Sequence, residues 1–359
     1  MIEQYTITTT PKYNFPPPTM DLALPKRFIE LSLHSLKHVQ NQTFQLNQQL
    51  IQQNNSPEQL YPLLQPQTKP IALTPNRTET TIAAVDTSSI KLGETNKGLI
   101  IAIRGTTIWK RKRNYGYLRV GPFIFHITED NLKEVYSTLL RAYFPEQTSP
   151  SPSFTQIPMR MANLLEKWLQ ASLAKTVNNG ILLFDGSLTA GTPDTPVHQL
   201  KEILQTARNM GNTVLAFTKM TTLRLNGYLI TDTLFAQKPP CLIEIANLKP
   251  KPPLVLLGDI YVAKLTNGNC AFRLDIDKEM PLQHKIEAVE RLLGNDLITH
   301  SYPETLRLAH IFCTFTANEV IAMQHFIQQK YGLKLVNRPD MHKLLFGPFG
   351  KGENHNEAV

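Results

Sequence analysis

The chain has 359 residues, of which 42% are hydrophobic and 18% charged, enough to bury one large core or two moderate ones. Its formal net charge of +8 favours a polyanionic partner. Three cysteines without zinc-finger spacing argue against a structural zinc site and a disulfide framework. No apolar run approaches the roughly 20 residues of a membrane span, and MIEQYTITTT lacks a signal-peptide pattern. We therefore expect a cytoplasmic protein.

Residues 1–80 are predicted to form an N-terminal helical and Gln-rich appendage. A helix within 22–52 is predicted from its apolar positions, Phe28, Leu31, Leu33, Leu36 and Val39. It continues into a Gln/Asn-rich tract, and proline-broken sequence follows between Pro57 and Pro75. Glutamine-rich tracts are more often spacers than functional elements, so no chemistry is assigned here.

From residue 81 the pattern becomes that of an α/β protein. Apolar runs at 82–86, 98–109 and 116–128 predict three strands joined by short polar turns. The elements predicted next are, in order, helices at 129–143 and 158–177, a strand at 180–185, a helix at 196–210 and a strand at 213–219. This order is that of an RNase H-like mixed sheet core flanked by helices. In that fold the first and fourth strands are neighbours at the centre of the sheet.

The remaining sequence predicts additional strands and C-terminal helices. The core at about 81–220 is followed by extra strands at 230–278 and closing helices at 281–331, which together give a domain at 81–335. Capping boxes are predicted at Ser301 with Glu304 and at Thr316 with Glu319. Helix ends are predicted at Gly211 and Gly332. A C-terminal tail is predicted at 336–359, and its polar end GKGENHNEAV is predicted to be disordered.

Two predicted strands end in an aspartate that is followed by small polar residues. Asp86 stands in IAAVDTSS and Asp185 in ILLFDGSLT. An acid at the end of a buried strand is costly to desolvate unless a cation lies against it. If these strands are neighbours, the two acids form a divalent-metal site. A strand-end turn or a helix cap is the structural alternative for each acid, and Asp194 is interpreted as the cap of the helix near Pro196.

An RNase H-like site needs a third acid from the helix that follows the third strand. Glu166 lies on the flank of an apolar stripe in the helix at 158–177 and can lean toward the sheet. Glu134, on the preceding helix, is its main rival. Mg²⁺ and Mn²⁺ prefer oxygen ligands, and two such ions about 3.5–4 Å apart can cleave a phosphodiester. His310, in LRLAHIFC, is a candidate metal ligand or proton carrier, against the alternative of a core histidine.

The segment WKRKRNYGYLR at 109–119 is the strongest basic run, with Trp109, Tyr115 and Tyr117 between its cations. Such a pattern suits phosphate contact together with base stacking, although an exposed charged turn is an equal alternative. The cations that we expect to contact DNA are Lys110, Arg111, Lys112, Arg113 and, after the strand TVLAFT, Lys219.

These motifs resemble the NurA nuclease family over about residues 80–330. The resemblance rests on AAVDTSS, NLLEKWLQ, LLFDGSLT, AFTKMT and SYPETLRLAH. It implies that Asp86, Glu166 and Asp185 bind metal, with His310 as a further ligand. It also implies that Tyr302, eight residues before His310, positions the DNA. Thr87 departs from the glycine that usually follows the first aspartate in the family.

The resemblance implies a specific activity and specific partners. NurA-like proteins are Mn²⁺-dependent DNA nucleases, with Mg²⁺ possible, that combine 5′-to-3′ exonuclease and single-strand endonuclease action. They form homodimers that dock on a HerA-type hexameric ATPase during DNA end resection in repair and homologous recombination. DNA, as single strands and double-stranded ends, is therefore the expected substrate.

Two other classes of function are compatible with the sequence. The first is a catalytically inactive RNase H-like module that binds nucleic acid or scaffolds a partner, although the three intact acids argue against it. The second is an actin-like ATP-binding fold, because aspartate followed by Gly-Ser or Thr-Ser can cradle phosphates. That fold would need two duplicated halves, and the sequence has no convincing internal repeat.

Overall fold

A computed structural model describes residues 2–6, 23–37, 69–144, 151–225, 228–234, 237–246, 248 and 250–336. The Gln/Asn-rich tract and the C-terminal tail from residue 337 lie outside these described residues. Within the described ranges, no helix is long and apolar enough to cross a membrane.

The strands of the described residues fall mainly after residue 69. In chain order they are β1 (Ile2–Thr6), β2 (Ile71–Ala72), β3 (Ile82–Glu94), β4 (Gly98–Arg111), β5 (Asn114–Thr128), β6 (Ile181–Asp185), β7 (Thr189–Ala190), β8 (Thr213–Thr218), β9 (Arg224–Leu225), β10 (Tyr228–Leu229), β11 (Cys241–Glu244), β12 (Val255–Leu256), β13 (Gly258–Lys264), β14 (Phe272–Asp277), β15 (Ile298–Thr299) and β16 (Tyr302–Pro303).

Helices alternate with the strands between β5 and β8, and three further helices of the described ranges follow β14. They are α1 (Ala23–Lys37), α2 (Leu132–Tyr143), α3 (Ile157–Thr176), α4 (Val197–Asn209), α5 (Leu282–Asn295), α6 (Glu304–Cys313) and α7 (Ala317–Tyr331), with a 3₁₀ helix at Ile230–Leu234. The predicted helices and core strands are therefore present, with ends that differ by a few residues; β3 alone is much longer than its predicted segment.

One ten-stranded sheet organises the molecule, in the order β1-β5-β4-β3-β6-β8-β14-β13-β11-β2. The strands β3, β4 and β5 form an antiparallel meander. The strand β6 then pairs in parallel with β3, and β8 pairs in parallel with β6. The order β5-β4-β3-β6-β8 with these directions is that of an RNase H-like fold, as predicted.

Both faces of the central strands are covered, which explains their continuous apolar sequence. Alternate residues of β3 and β6, such as Val85 and Phe184, pack with α3 in one core. The residues between them, such as Ala84 and Leu183, pack with α5 and α6 in a second core on the opposite face. The period of two along each strand sorts the side chains between these two cores.

The extra strands predicted at 230–278 continue this sheet. The strand β14 pairs antiparallel with β8, and β13 and β11 follow it outward. The junction contains a buried ion pair, in which Asp275 accepts two hydrogen bonds of 2.7 Å from Arg273. The carboxylate also accepts a hydrogen bond from the backbone N–H of Leu188, at 3.0 Å. The added strands thereby hold the segment that follows Asp185.

Segments of the first 80 residues belong to the core, which corrects the prediction of an appendage for these parts. Phe28 of α1 is fully buried, with its ring centroid 5.0 Å from Phe123 and 5.7 Å from Phe125. The strand β1 pairs with β5, and β2 pairs with β11. The domain boundaries at 80 and 335 remain predictions.

Helix ends agree with the sequence patterns in some places and differ in others. Thr316 and Glu319 form the predicted capping box of α7, which ends at Gly332 with a positive φ of 64°. The helix α6 instead starts after Pro303, with no cap from Ser301. The Ser301 hydroxyl accepts hydrogen bonds from the backbone N–H groups of Leu265 and Thr266. The predicted capping box at Ser301 is therefore wrong, because a tertiary contact takes the hydroxyl.

Candidate metal centre

The parallel pairing of β3 and β6 brings Asp86 and Asp185 side by side. Their register aligns Val85 with Phe184, so Asp86 and Asp185 are the next residues along it. Adjacent strands lie about 4.8 Å apart. Asp86 is 6% exposed, although it carries a carboxylate. The juxtaposition predicted from the order of the strands is thus present.

A tight turn fixes the direction of the chain after Asp185. Gly186 has a φ of 98°, a conformation that favours glycine. Its backbone N–H donates to Phe217 O at 2.8 Å, and Thr218 Oγ1 donates to Gly186 O at 2.7 Å. Lys219, immediately after β8, reaches Asp185 with an Nζ–Oδ2 distance of 2.6 Å. The chain therefore bends after Asp185, as the structural alternative has it, while the role of Asp185 as a metal ligand stays a prediction.

Glu166 lies on α3, which packs on the face of the sheet opposite to α5 and α6. Burial, opposed by the charge of Lys167 and reinforced by the charges of Asp86 and Asp185, raises the pKa of Glu166 to about 7. Glu166 Oε1 accepts a hydrogen bond of 2.8 Å from Gln170 Nε2. The charges of Asp86 and Asp185 therefore act on Glu166, and a divalent cation bound among these carboxylates would offset their repulsion.

His310 of α6 contacts Asp86 from the other side. His310 Nδ1 lies 2.7 Å from Asp86 Oδ2. The second carboxylate oxygen of Asp86 accepts the backbone N–H of Thr87 at 2.7 Å. An imidazole beside a carboxylate can act as a metal ligand or move a proton. The alternative of an ordinary core histidine does not hold, because half of the His310 side chain is exposed.

Tyr302 lies beside the same aspartates. Burial and the charges of Asp185 and Asp86 raise its pKa well above the usual range. The phenolic oxygen is buried and has no hydrogen-bond partner among the described residues. Lys219 Nζ lies 6.0 Å from the centre of its ring. A buried hydroxyl without a partner is unusual in a protein, and this one is able to donate to a ligand or a water.

A pocket of about 390 Å³ opens next to Glu166 and Asp185. Its walls carry hydroxyls and two cations, with few apolar side chains; the polar lining includes Lys167, Ser187, Thr192, Thr195, Thr222 and Arg273. Lys167 Nζ donates to Gln170 Oε1 at 3.1 Å, so Gln170 links this lysine to Glu166. A polar pocket beside a group of acids can accommodate a polar ligand next to the candidate metal centre.

The basic hairpin lies at the other end of the central strands. Lys110 pairs in register with Ile82, whereas Asp86 pairs with Thr106. Four residues of strand separate these two levels by about 13 Å. The exposed Arg111 and Lys112 contact Glu79, and Lys110 lies 3.6 Å from Asp296.

Arg113 is exposed in the same turn as Lys112. Of the five predicted cations, Lys219 is therefore the one that the structure brings to the acids. DNA contact by the hairpin remains a prediction.

Three sequence interpretations near the site have a definite outcome. Glu134 is exposed on α2 and is not among the charges that shift the pKa of Glu166. It therefore does not take the place of Glu166 as the third acid. Asp194 forms an ion pair with Arg160 and does not cap α4, whose first turn has no side-chain cap. Asp185 is a strand end rather than a helix cap.

The sequence interpretation missed Cys313. Its sulfur, a ring nitrogen of His310 and a carboxylate oxygen of Asp86 lie within 4.8 Å of one another. Cys313 follows His310 by three residues on α6, a spacing that places two side chains on one face of a helix. That spacing in LAHIFC was the available signal.

Comparisons with known proteins add little to this geometry. No protein-family model matches the sequence, and no curated protein matches it. Among solved structures, the chain is similar to Kluyveromyces polysporus Argonaute with a guide RNA, at 12% identity and a TM-score of 0.22. The match covers 70% of this chain and 27% of that one, so this chain spans about a quarter of its length. The order of the strands, rather than this similarity, defines the fold.

Proposed function

We propose that this protein is a metal-dependent nuclease that hydrolyses phosphodiester bonds in DNA. The observation that supports the proposal is the convergence of three carboxylates from different elements. Asp86 and Asp185 end up on neighbouring strands, and Glu166 approaches from α3 with a pKa raised to about 7. A buried acid whose pKa is raised by neighbouring acids is typical of functional sites.

The donor atoms fit a hard divalent cation. Asp86, Glu166 and Asp185 would hold Mn²⁺ or Mg²⁺ through oxygen atoms, and His310 would add an imidazole nitrogen. Two such ions, when bound, supply an activated water and stabilise the leaving oxygen of the phosphodiester. The acids stand on a sheet and a packed helix, which hold ligands more precisely than loops do.

The other side chains of the site have roles that follow from their positions. His310, half-exposed and hydrogen-bonded to Asp86, can carry a proton between the site and solvent. The unpartnered hydroxyl of Tyr302 can donate to a phosphate oxygen. Lys219 can leave Asp185 and neutralise that phosphate once a cation has taken its place. The adjacent pocket would accept the backbone next to the reacting bond.

The finer details of the proposal come from the resemblance to the NurA family. They are 5′-to-3′ exonuclease action, endonuclease action on single strands, a preference for Mn²⁺, a homodimer and docking on a HerA-type hexameric ATPase in DNA end resection. We expect the protein to act in the cytoplasm. These details need their own tests.

The first test compares the purified protein with an Asp86→Asn variant. With Mn²⁺, the wild-type protein should degrade 5′- and 3′-labelled oligonucleotides, and the variant should fall to the level of an EDTA control. Asn keeps the shape of Asp86 but removes the charge that holds a cation. Glu134→Gln, an exposed site on α2, is the matched control and should remain active.

Binding of the same DNA in EDTA, measured by fluorescence anisotropy, separates chemistry from binding. We expect the Asp86→Asn variant to bind at least as tightly as wild type, because it has lost a negative charge. Full cleavage by this variant would overturn the assignment. Binding without any cleavage by the wild-type protein would instead favour the inactive RNase H-like module.

A further inference from the structure

Three potential metal-ligand atoms of different chemical elements lie close together beside the three acidic side chains. They belong to Asp86, His310 and Cys313, and all lie within 4.8 Å of one another. Asp86 and Cys313 are buried, while His310 is exposed and gives a route from solvent. The sulfur of Cys313 donates to His310 O at 3.2 Å, which is within its own helix. This hydrogen bond stays within α6 and leaves the sulfur beside the ligand atoms of Asp86 and His310.

This combination of an oxygen, a nitrogen and a sulfur differs from the set expected for Mg²⁺ or Mn²⁺. Those ions prefer oxygen ligands, whereas a thiolate selects softer ions such as Zn²⁺. Three protein ligands with one position left for water are a common arrangement around zinc. Zn²⁺ also binds mixed sites more tightly than Mn²⁺ does.

We propose that Asp86, His310 and Cys313 form a binding site for Zn²⁺ and that zinc bound there inhibits the enzyme. On binding, the thiol proton of Cys313 is released to solvent, and a sulfur–zinc bond forms. The ion replaces the hydrogen bond between His310 and Asp86. Asp86 is then no longer free to hold the ions that phosphodiester hydrolysis needs.

The inhibition rests on the proposed nuclease function, whereas the zinc binding does not. The binding can therefore be measured without DNA. Co²⁺ is a suitable probe because it takes the geometry of Zn²⁺ and shows a charge-transfer absorption band when a thiolate is a ligand. Cys270 is exposed and is removed first, as Cys270→Ser, to exclude binding at the surface.

The Cys270→Ser protein should develop the thiolate band on titration with Co²⁺ and lose it when Zn²⁺ is added. Cys313→Ser in this background should lack the band and bind Zn²⁺ at least about 10-fold more weakly, the lower limit for losing even an outer-shell partner. Cys241, buried in β11, provides the matched control, and Cys241→Ala should keep the band. Cys313→Ala is the second variant if serine disturbs folding.

Absence of the band in the folded Cys270→Ser protein would overturn the inference without any variant at position 313. Persistence of the band in folded Cys313→Ser or Cys313→Ala would overturn it as well. Zinc should then abolish Mn²⁺-dependent cleavage by wild type at concentrations that leave Cys313→Ser active. If the band depends on Cys313 but no cleavage occurs with any ion, the zinc site stands and the proposed function fails.

Discussion

Glu166 carries a charge that the candidate metal centre would need, in surroundings that oppose this charge. Its pKa of about 7 lies above the ordinary value of 4.5, chiefly because of burial and the neighbouring Asp86 and Asp185. Without metal, the folded protein therefore holds a proton on Glu166 between about pH 4.5 and 7 that the unfolded chain has lost. The contribution of Glu166 to the free energy of unfolding is therefore full at low pH and decreases as the pH rises from about 4.5 to 7.

The first prediction concerns the stability of the Glu166→Gln variant in metal-free buffer. The amide keeps an oxygen for the hydrogen bond from Gln170, but it cannot ionise beside Asp86 and Asp185. We expect the variant to be as stable as wild type at pH 5 and more stable at pH 8, with a higher melting temperature there. Thermal unfolding in EDTA from pH 5 to 8 measures the difference, and Glu134→Gln serves as the control.

Adding Mn²⁺ at pH 8 should reverse the order of the two proteins. Wild type can bind the ion through an ionised Glu166 and gains stability by mass action, whereas the variant has lost a ligand. A melting-temperature difference that does not change with pH would show that Glu166 is an ordinary solvated glutamate. That outcome would remove it from the proposed metal centre.

At the scale of elements, the sheet holds the site through the segment between β6 and β7. The buried Asp275 of β14 binds both Arg273 and the backbone N–H of Leu188. Leu188 follows Asp185 by three residues. The strands after the core thus act on the position of a candidate metal ligand, although they carry none of the three acids.

The second prediction is that Asp275→Asn both destabilises the protein and lowers its activity. Breaking a buried ion pair from one side costs about 3–5 kcal/mol, because the remaining charge is left without its partner. Urea denaturation measures this loss. Any Mn²⁺-dependent cleavage should also fall under conditions where the variant is folded. Glu279→Gln, at an exposed position just after β14, should leave both quantities unchanged.

The capping box of α7 gives a third prediction. Thr316 Oγ1 accepts a hydrogen bond from Glu319 N, and Glu319 also pairs with the buried Arg104 of β4. Thr316→Ala removes one cap and should cost about 1 kcal/mol in the free energy of unfolding. Glu319→Ala also removes the carboxylate beside Arg104, which keeps its hydrogen bond to Thr314 O, and should cost about 2–3 kcal/mol. Equal losses from both variants would contradict the role assigned to Arg104.

The pH dependence of this contact has a definite sign. Burial raises the pKa of Glu319, but hydrogen bonds from Arg104 and Thr316 outweigh it and bring the pKa to about 2. The folded state therefore favours the ionised form. Its contribution to stability is full above about pH 4.5 and is lost as the pH falls toward 2. The Glu319→Ala variant should lose less stability than wild type over that interval.

The sequence predicted what local patterns determine. Apolar runs located β3, β6 and β8, and their order with α3 placed Asp86, Asp185 and Glu166 together. The capping box at Thr316 was also correct, because both of its members lie within one turn of a helix. The predicted capping box at Ser301 was wrong because residues distant in sequence bind that side chain. Its hydroxyl accepts hydrogen bonds from the backbone just after β13.

The pairing of β14 with β8 depends on the same kind of distant contact. The alternation of apolar and polar residues along β14 does not predict which strand it will pair with. The position of Cys313 next to Asp86 also depends on how α6 crosses the sheet. The placement of the three acids was therefore predictable from the sequence, whereas the positions of the Cys313 sulfur and of the pocket beside Glu166 were not.

In the molecule as a whole, the N-terminal segments complete the core of the fold. The helix α1 covers the face of β5 that carries Phe123 and Phe125, and Phe28 is fully buried between them and the helices. The sequence could not reveal this, since an amphipathic helix before a Gln-rich tract has no marked partner. The helix in front of a long polar segment is thus part of the fold.

The final prediction follows from that burial. Phe28→Ala should destabilise the protein by about 3–5 kcal/mol, because it removes a buried ring and leaves a cavity in the core. Leu33→Ala, on the exposed side of the same helix at 40% exposure, should change the free energy of unfolding by less than about 0.5 kcal/mol. Urea denaturation of both variants measures the difference. An independent appendage would predict the same small effect for both, so equal and small losses would restore that interpretation.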